Sequence, residues 1–150
     1  SGTEKLSALC ESSRGVLLIM DIDDLGLVNE RFGHDTGDRI LVAFASAVRH
    51  NTRSGDVVCR MGGDEFVAFL ADMTHEQDVA SLENRLNEEL KKETALIMGD
   101  DHGLDPGISI GAAFVPDGSA DYSVLLKNAR SALDTLVAGK KHGYMIYDPE

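Results

Sequence analysis

Gly15-Val16-Leu17-Leu18-Ile19-Met20 is an unbroken apolar run, the pattern of a strand buried on both faces. Asp56-Val57-Val58-Cys59-Arg60 and Phe66-Val67-Ala68-Phe69-Leu70 are two further runs rich in β-branched or aromatic residues, with Gly62-Gly63 between them. A glycine pair between such runs predicts a β-hairpin, here over 56–71. Residues 107–115 and 143–148 read as two more strands.

The intervening segments carry apolar residues at helical spacing. They are Leu6 with Leu9-Cys10 over 3–11, and Leu25, Val28 and Phe32 over 24–32. Ile40-Leu41, Phe44, Ala45 and Val48 follow, then Val79, Leu82, Leu86 and Leu90 over 74–97. The last set is Leu125-Leu126, Ala129, Ala132-Leu133 and Leu136 over 122–137. Gly33 can stop the second helix, and Thr36 is expected to cap the third. Residues 99–106 and Pro116-Asp117-Gly118 are expected to be loop and turn. Glu83, Glu88, Glu89, Lys91 and Lys92 mark the solvated side of the long helix. Beyond the short leading helix the order is β-α-α-β-β-α-β-α-β. It predicts an α/β (α+β sandwich) domain: a mixed central sheet containing the hairpin, with helices on its faces.

A chain of 150 residues is long enough for one domain with one substantial core. No stretch has the roughly 20 apolar residues of a membrane span, and no signal peptide is visible. The formal net charge of −12 disfavours nucleic acid and anionic membranes as partners. It also repels nucleotides, so a nucleotide site would need local cations. Cys10 and Cys59 are the only cysteines; they make no disulfide framework and point to a reduced, cytoplasmic protein. Cys59, in an apolar strand, reads as a small core residue. Ser1-Gly2 reads as a cloning remnant.

Two acidic clusters interrupt this pattern. The first apolar strand ends in Asp21-Ile22-Asp23-Asp24, and the end of a buried strand is where open α/β sheets place ligands. Alternation sends Asp21 and Asp23 to one face and Ile22 to the other. Asp64-Glu65 follow the Gly-Gly pair, whose residues permit positive φ and close backbone approach. An acidic surface hairpin would show the same letters. If the first strand lies beside the hairpin, however, Asp21 and Asp64 converge on a hard cation such as Mg²⁺. Such a layout suits metal-assisted phosphoryl chemistry.

Gly62-Gly63-Asp64-Glu65-Phe66 resembles the defining motif of the GGDEF family, the diguanylate cyclases. The resemblance extends to Asp21-Ile22-Asp23, Asn29, Gly33-His34-Asp35-Thr36-Gly37-Asp38 with Leu41, Gly107-Ile108-Ser109-Ile110-Gly111 and Tyr144-Met145-Ile146-Tyr147-Asp148, nearly the whole chain. It implies the palm-like fold of nucleotide cyclases and polymerases. It also implies condensation of two GTP molecules into cyclic di-GMP by a homodimer with Mg²⁺ or Mn²⁺. By position, Asp21, the Ile22 carbonyl, Asp64 and Glu65 would hold metal, and Asp64 and Glu65 would serve catalysis. Asn29 and Asp38 would read the guanine edge, whose N1–H and N2–H donors adenine lacks, with His34 nearby. Gly62, Gly63, Asp24, Leu25 and Lys141 would line the nucleotide and its phosphates. Arg53-Ser54-Gly55-Asp56 resembles the family's inhibitory site for cyclic di-GMP, with Arg85 as a helper. The family's usual opening segment is absent, so residues 1–150 are expected to be one truncated domain whose upstream sensory part is missing.

Two departures matter. The resemblance places phosphate-binding lysines where this chain has Gly26 and Val137. Each lost charge-assisted hydrogen bond costs about 1.5–3 kcal/mol. A second possibility is therefore a degenerate GGDEF domain that binds cyclic di-GMP or GTP without turnover. A third, an ATP cyclase of the same fold, is opposed by Asn29 and Asp38.

Overall fold

The computed structural model describes residues 2–99, 103–115, 120–139 and 143–149. The elements run α1 (Gly2–Ser12), β1 (Gly15–Ile22), α2 (Leu25–Phe32), α3 (His34–His50), β2 (Val57–Gly62), β3 (Glu65–Ala71), α4 (Glu76–Met98), β4 (Ile108–Val115), α5 (Tyr122–Ala138) and β5 (Gly143–Ile146). The five strands form one sheet in the order β2-β3-β1-β4-β5. All neighbours pair antiparallel except β4 and β5, which are parallel. The mixed sheet between helices is the expected architecture.

β1 lies at the centre because both its faces are apolar. Val16, Leu18 and Met20 pack with α2, α3 and α4, while Leu17 and Ile19 pack with α1 and α5. All five are essentially inaccessible, each contributing roughly 1.5–3 kcal/mol of apolar burial. Alternation therefore assigns every other residue to a different helical layer. α5 lies against the backbone of β4: a Cβ on Gly111 would stand 2.2 Å from the Ala129 carbonyl oxygen and 2.7 Å from the Leu133 nitrogen. On the other face Phe66 meets Phe44 of α3 edge to face, with ring centroids 4.7 Å apart. That contact anchors the hairpin to the helical layer.

Three local expectations are corrected. Thr36 does not cap α3: the helix already begins at His34 with Gly33 before it, and Thr36 Oγ1 donates back to the Phe32 carbonyl at 3.2 Å. The chain turns so sharply at Gly33, where φ is 93°, that α3 starts three residues sooner. β5 ends at Ile146, although Tyr147 still donates its N–H to the Ala112 carbonyl at 2.7 Å. Gly2 belongs to α1 and approaches the Cys59 sulfur closely. The expected turn at Pro116-Asp117-Gly118 lies outside the described residues. Among the described residues no helix is long and apolar enough to cross a membrane.

Candidate active site

The end of β1 meets the hairpin turn because β1 and β3 pair in the register Met20↔Phe66. Ile22 points into the α2–α4 core, 3% exposed. Asp21 consequently faces the α5 side, where the Asp64 side chain hydrogen-bonds to it. The Ile22 N–H donates to Asp21 Oδ1 at 2.9 Å. Burial, and then the contact with Asp64, push the Asp21 carboxyl up to about 7 against the pull of that N–H. Two carboxyl groups in contact must share a proton or a cation, so this pair fits a hard divalent ion. Asp23 is on the same face and accepts from Ser109 Oγ at 2.6 Å.

Glu65 begins β3 on this same side of the sheet, in alternation with Val67 and Phe69. Its carboxylate is not brought to the Asp21–Asp64 pair; it is held by the Arg130 guanidinium of α5. Among the described residues no three His, Cys, Asp or Glu side chains converge on one point.

The turn between Gly62 and Glu65 needs its glycines for conformation. Gly62 and Gly63 have φ of 127° and 54°, a region that disfavours other residues. No atom lies within 4 Å of where a Cβ would stand at either, so a ligand has room to reach the backbone. Arg60 secures the turn from the opposite face, donating Nε and Nη2 to the Gly63 carbonyl at 2.9 and 2.6 Å. Across from the turn, Asp24 is held at φ 64° and opens α2 without a side-chain cap. The Leu25 side chain is buried beneath it. The first amides of α2 thus stand just beyond β1, where an anion would be favoured.

Asn29 and Asp38 are carried by α2 and α3. Gly37, immediately before Asp38, lets the two helices touch: a Cβ there would lie 1.7 Å from Asn29 Oδ1. That buried oxygen has no hydrogen-bond partner in the structure. An unpaired buried acceptor is costly, and a ligand donor would satisfy it. Asp38 is exposed and borders an open groove of about 470 Å³ between α3 and α4. His34, the first residue of α3, is exposed. Lys141 lies outside the described residues.

The second expected cluster is built around Asp56, whose side chain is only 3% exposed. Its two oxygens accept from backbone N–H groups, Oδ2 from Arg53 at 2.8 Å and Oδ1 from Ala71 at 3.0 Å. Arg53 bonds the Ala71 carbonyl and keeps most of its side chain in solvent. Arg85 donates Nε to Asn51 Oδ1 at 3.0 Å, at the start of the same loop. Arg53 and Asp56 are thus in contact, Arg85 meets their loop through Asn51, and Asp56 pins that loop to the end of β3.

The model of the family described as "Diguanylate cyclase, GGDEF domain" matches residues 3–143. The chain belongs to the GGDEF domain family. This GGDEF domain is 36% identical over 117 residues to diguanylate cyclase DosC of Escherichia coli K12, covering 78% of the chain and 25% of the relative. It is 30% identical over 141 residues to the bifunctional diguanylate cyclase/cyclic di-GMP phosphodiesterase MucR of Pseudomonas aeruginosa, covering 94% and 20%. It is 35% identical to the cyclic di-GMP phosphodiesterase NbdA of the same organism, covering 78% and 14%. The chain thus spans a quarter or less of the length of these curated relatives. Among solved structures, an EAL/GGDEF domain protein from M. capsulatus superposes with a TM-score of 0.72 at 28% identity, covering 98% and 94% of the two chains. The coiled coil and GGDEF domain of DgcB from Caulobacter crescentus, in complex with c-di-GMP, shares the fold with a TM-score of 0.79 at 20% identity, covering 96% and 78%.

Two residues of this GGDEF domain's site escaped the sequence patterns. Ser109 looked like one more strand residue, yet register places it opposite Asp21. No sequence pattern singled out Arg130. Its signal was periodic: it lies seven residues before Val137, two helical turns along one face.

Proposed function

We propose that this GGDEF domain condenses two GTP molecules into cyclic di-GMP and two pyrophosphates. The observation that carries this is the Asp21–Asp64 carboxyl contact at the end of β1 beside the open Gly62-Gly63 turn. Asp21, the Ile22 carbonyl, Asp64 and Glu65 would hold Mg²⁺ or Mn²⁺. Such an ion supplies Lewis acidity, lowering the pKa of the attacking hydroxyl and offsetting phosphate charge. Asn29 and Asp38 accept from the guanine N–H groups and select against adenine, with His34 beside them. The Gly62 and Gly63 backbone approaches the nucleotide, while the Asp24 and Leu25 amides and Lys141 bind its phosphates. Asp64 accepts the proton of the 3′-hydroxyl as it attacks the α-phosphorus of the other GTP.

Each protomer brings one GTP, so catalysis requires two copies face to face. Arg53, Asp56 and Arg85 bind cyclic di-GMP and restrain turnover, the arginines forking onto phosphate or the guanine edge. The domain works in the cytoplasm as part of a longer signalling protein. Its span of a quarter or less of its curated relatives' length supports the longer protein.

A second reading is favoured by the Glu65–Arg130 ion pair and by Gly26 and Val137: a domain that binds GTP or cyclic di-GMP without turnover. Incubating ligand-stripped protein with GTP and either metal at high protein concentration, then separating the nucleotides, decides between them. Cyclic di-GMP from the parent and none from Asp64→Ala supports the cyclase. No product, with calorimetric binding of cyclic di-GMP that Arg53→Ala abolishes, establishes the receptor.

A further inference from the structure

We infer that Arg130 is a polyphosphate-binding residue of this site, reaching the nucleotide from the middle of α5; the inference rests on the cyclase reading of the carboxylate face. That face carries Asp21, Asp23 and Glu65 on the α5 side of the sheet, with Asp64 at the turn. A chain of net charge −12 with four carboxylates here cannot hold a triphosphate without positive charge on the same side. Arg60 does not supply it, because its guanidinium lies on the opposite face, bonded to the Gly63 carbonyl. Arg130 does: it lies against Glu65 and within electrostatic range of Asp21 and Asp134.

The geometry leaves it available. Its contact with Glu65 uses Nη2, while a guanidinium has five N–H donors in a planar fork. The side chain is 44% exposed and borders a shallow depression along α5 with Lys127 and Ser131. Glu65 therefore orients the fork at the edge of the metal-binding pair without consuming it. An oriented arginine offers phosphate oxygens two parallel bonds, which a lysine cannot reproduce.

The test is a calorimetric titration with a non-hydrolysable GTP analogue plus Mg²⁺, and in parallel with guanosine, on the parent, Arg130→Gln and Arg130→Lys. Unchanged melting temperatures of the apo variants show that α5 is intact. We expect Arg130→Gln to weaken the triphosphate roughly 10- to 150-fold, the cost of one charged hydrogen bond, and guanosine less than about twofold. Arg130→Lys should fall between, keeping charge but losing the fork. Equal weakening of both ligands would make Arg130 a structural clamp on Glu65 and overturn the inference, as would no weakening of either. A parent that binds neither ligand would overturn the nucleotide-site reading and the inference with it. A parent that binds the analogue no better than Arg130→Gln overturns the inference alone.

Discussion

Asp64 hydrogen-bonds to Asp21 across the junction between β1 and the hairpin turn, and burial together with that contact pushes the Asp21 carboxyl up to about 7. In the unfolded chain the group ionises near its ordinary value of 3.8. The native state therefore binds the extra proton between those two values, so the stability this group adds is present on the acid side and is lost as pH rises to about 7. Chelator-treated protein should melt at progressively lower temperature across that window. Asp21→Asn, which cannot ionise, should show a shallower slope than the parent. Mg²⁺ or Mn²⁺ should raise the parent's melting temperature more at pH 8 than at pH 5, because protons compete for the pair. Identical slopes in parent and Asp21→Asn would refute the shared-proton pair.

Gly111 is where α5 sits directly on β4. Gly111→Ala drives a methyl into the Ala129 carbonyl and the Leu133 backbone, which α5 can relieve only by moving away. Overpacking of this kind costs about 1–3 kcal/mol, readable as a lower denaturation midpoint. Because α5 carries Arg130, nucleotide affinity should fall as well. A midpoint equal to the parent's would show that α5 is not seated on the strand.

Gly37→Ala should act on ligand choice. The new methyl would occupy the space of the Asn29 amide, so Asn29 must turn away or α2 must shift. Guanosine binding should weaken at least about tenfold, in keeping with the loss of a hydrogen bond to an otherwise unpaired buried acceptor. Inorganic triphosphate with Mg²⁺ should bind as before. Unchanged guanosine affinity would remove Asn29 from base recognition.

Asp56 and Arg53 should separate in their effects, although both were placed in one inhibitory site. Asp56→Ala leaves two backbone N–H groups without their carboxylate and should cost about 2–4 kcal/mol of stability. Arg53→Ala removes an exposed side chain and should leave the melting temperature nearly unchanged while weakening cyclic di-GMP. A thermal melt paired with calorimetry distinguishes them; equal stability of the two variants would contradict the architectural part assigned to Asp56.

Much of this was readable from the chain because single elements carried it. The apolar run at 15–20 has the pattern of a two-faced strand, and alternation along it puts Asp21 opposite Ile22. The Gly-Gly hairpin followed from local turn chemistry. Thr36 misled because a Ser/Thr before an amphipathic run is the ordinary cap signal, whereas here the turn at Gly33 starts the helix earlier. The Glu65–Arg130 pair was not legible, since it joins residues on different elements and depends on how α5 crosses the sheet. Likewise, nothing local to Arg53-Ser54-Gly55-Asp56 reveals that Ala71 completes the cluster.

The most direct measurement is the rate of cyclic di-GMP formation from GTP and Mn²⁺ as a function of total protein concentration, using ligand-stripped parent and Asp21→Asn. Two facing protomers with an acidic metal site in each predict product whose rate per protomer rises with concentration toward a plateau, and none from Asp21→Asn. GTP bound by the parent with no cyclic di-GMP at any concentration, or equal product from Asp21→Asn, would contradict the carboxylate pair as the centre of a diguanylate cyclase.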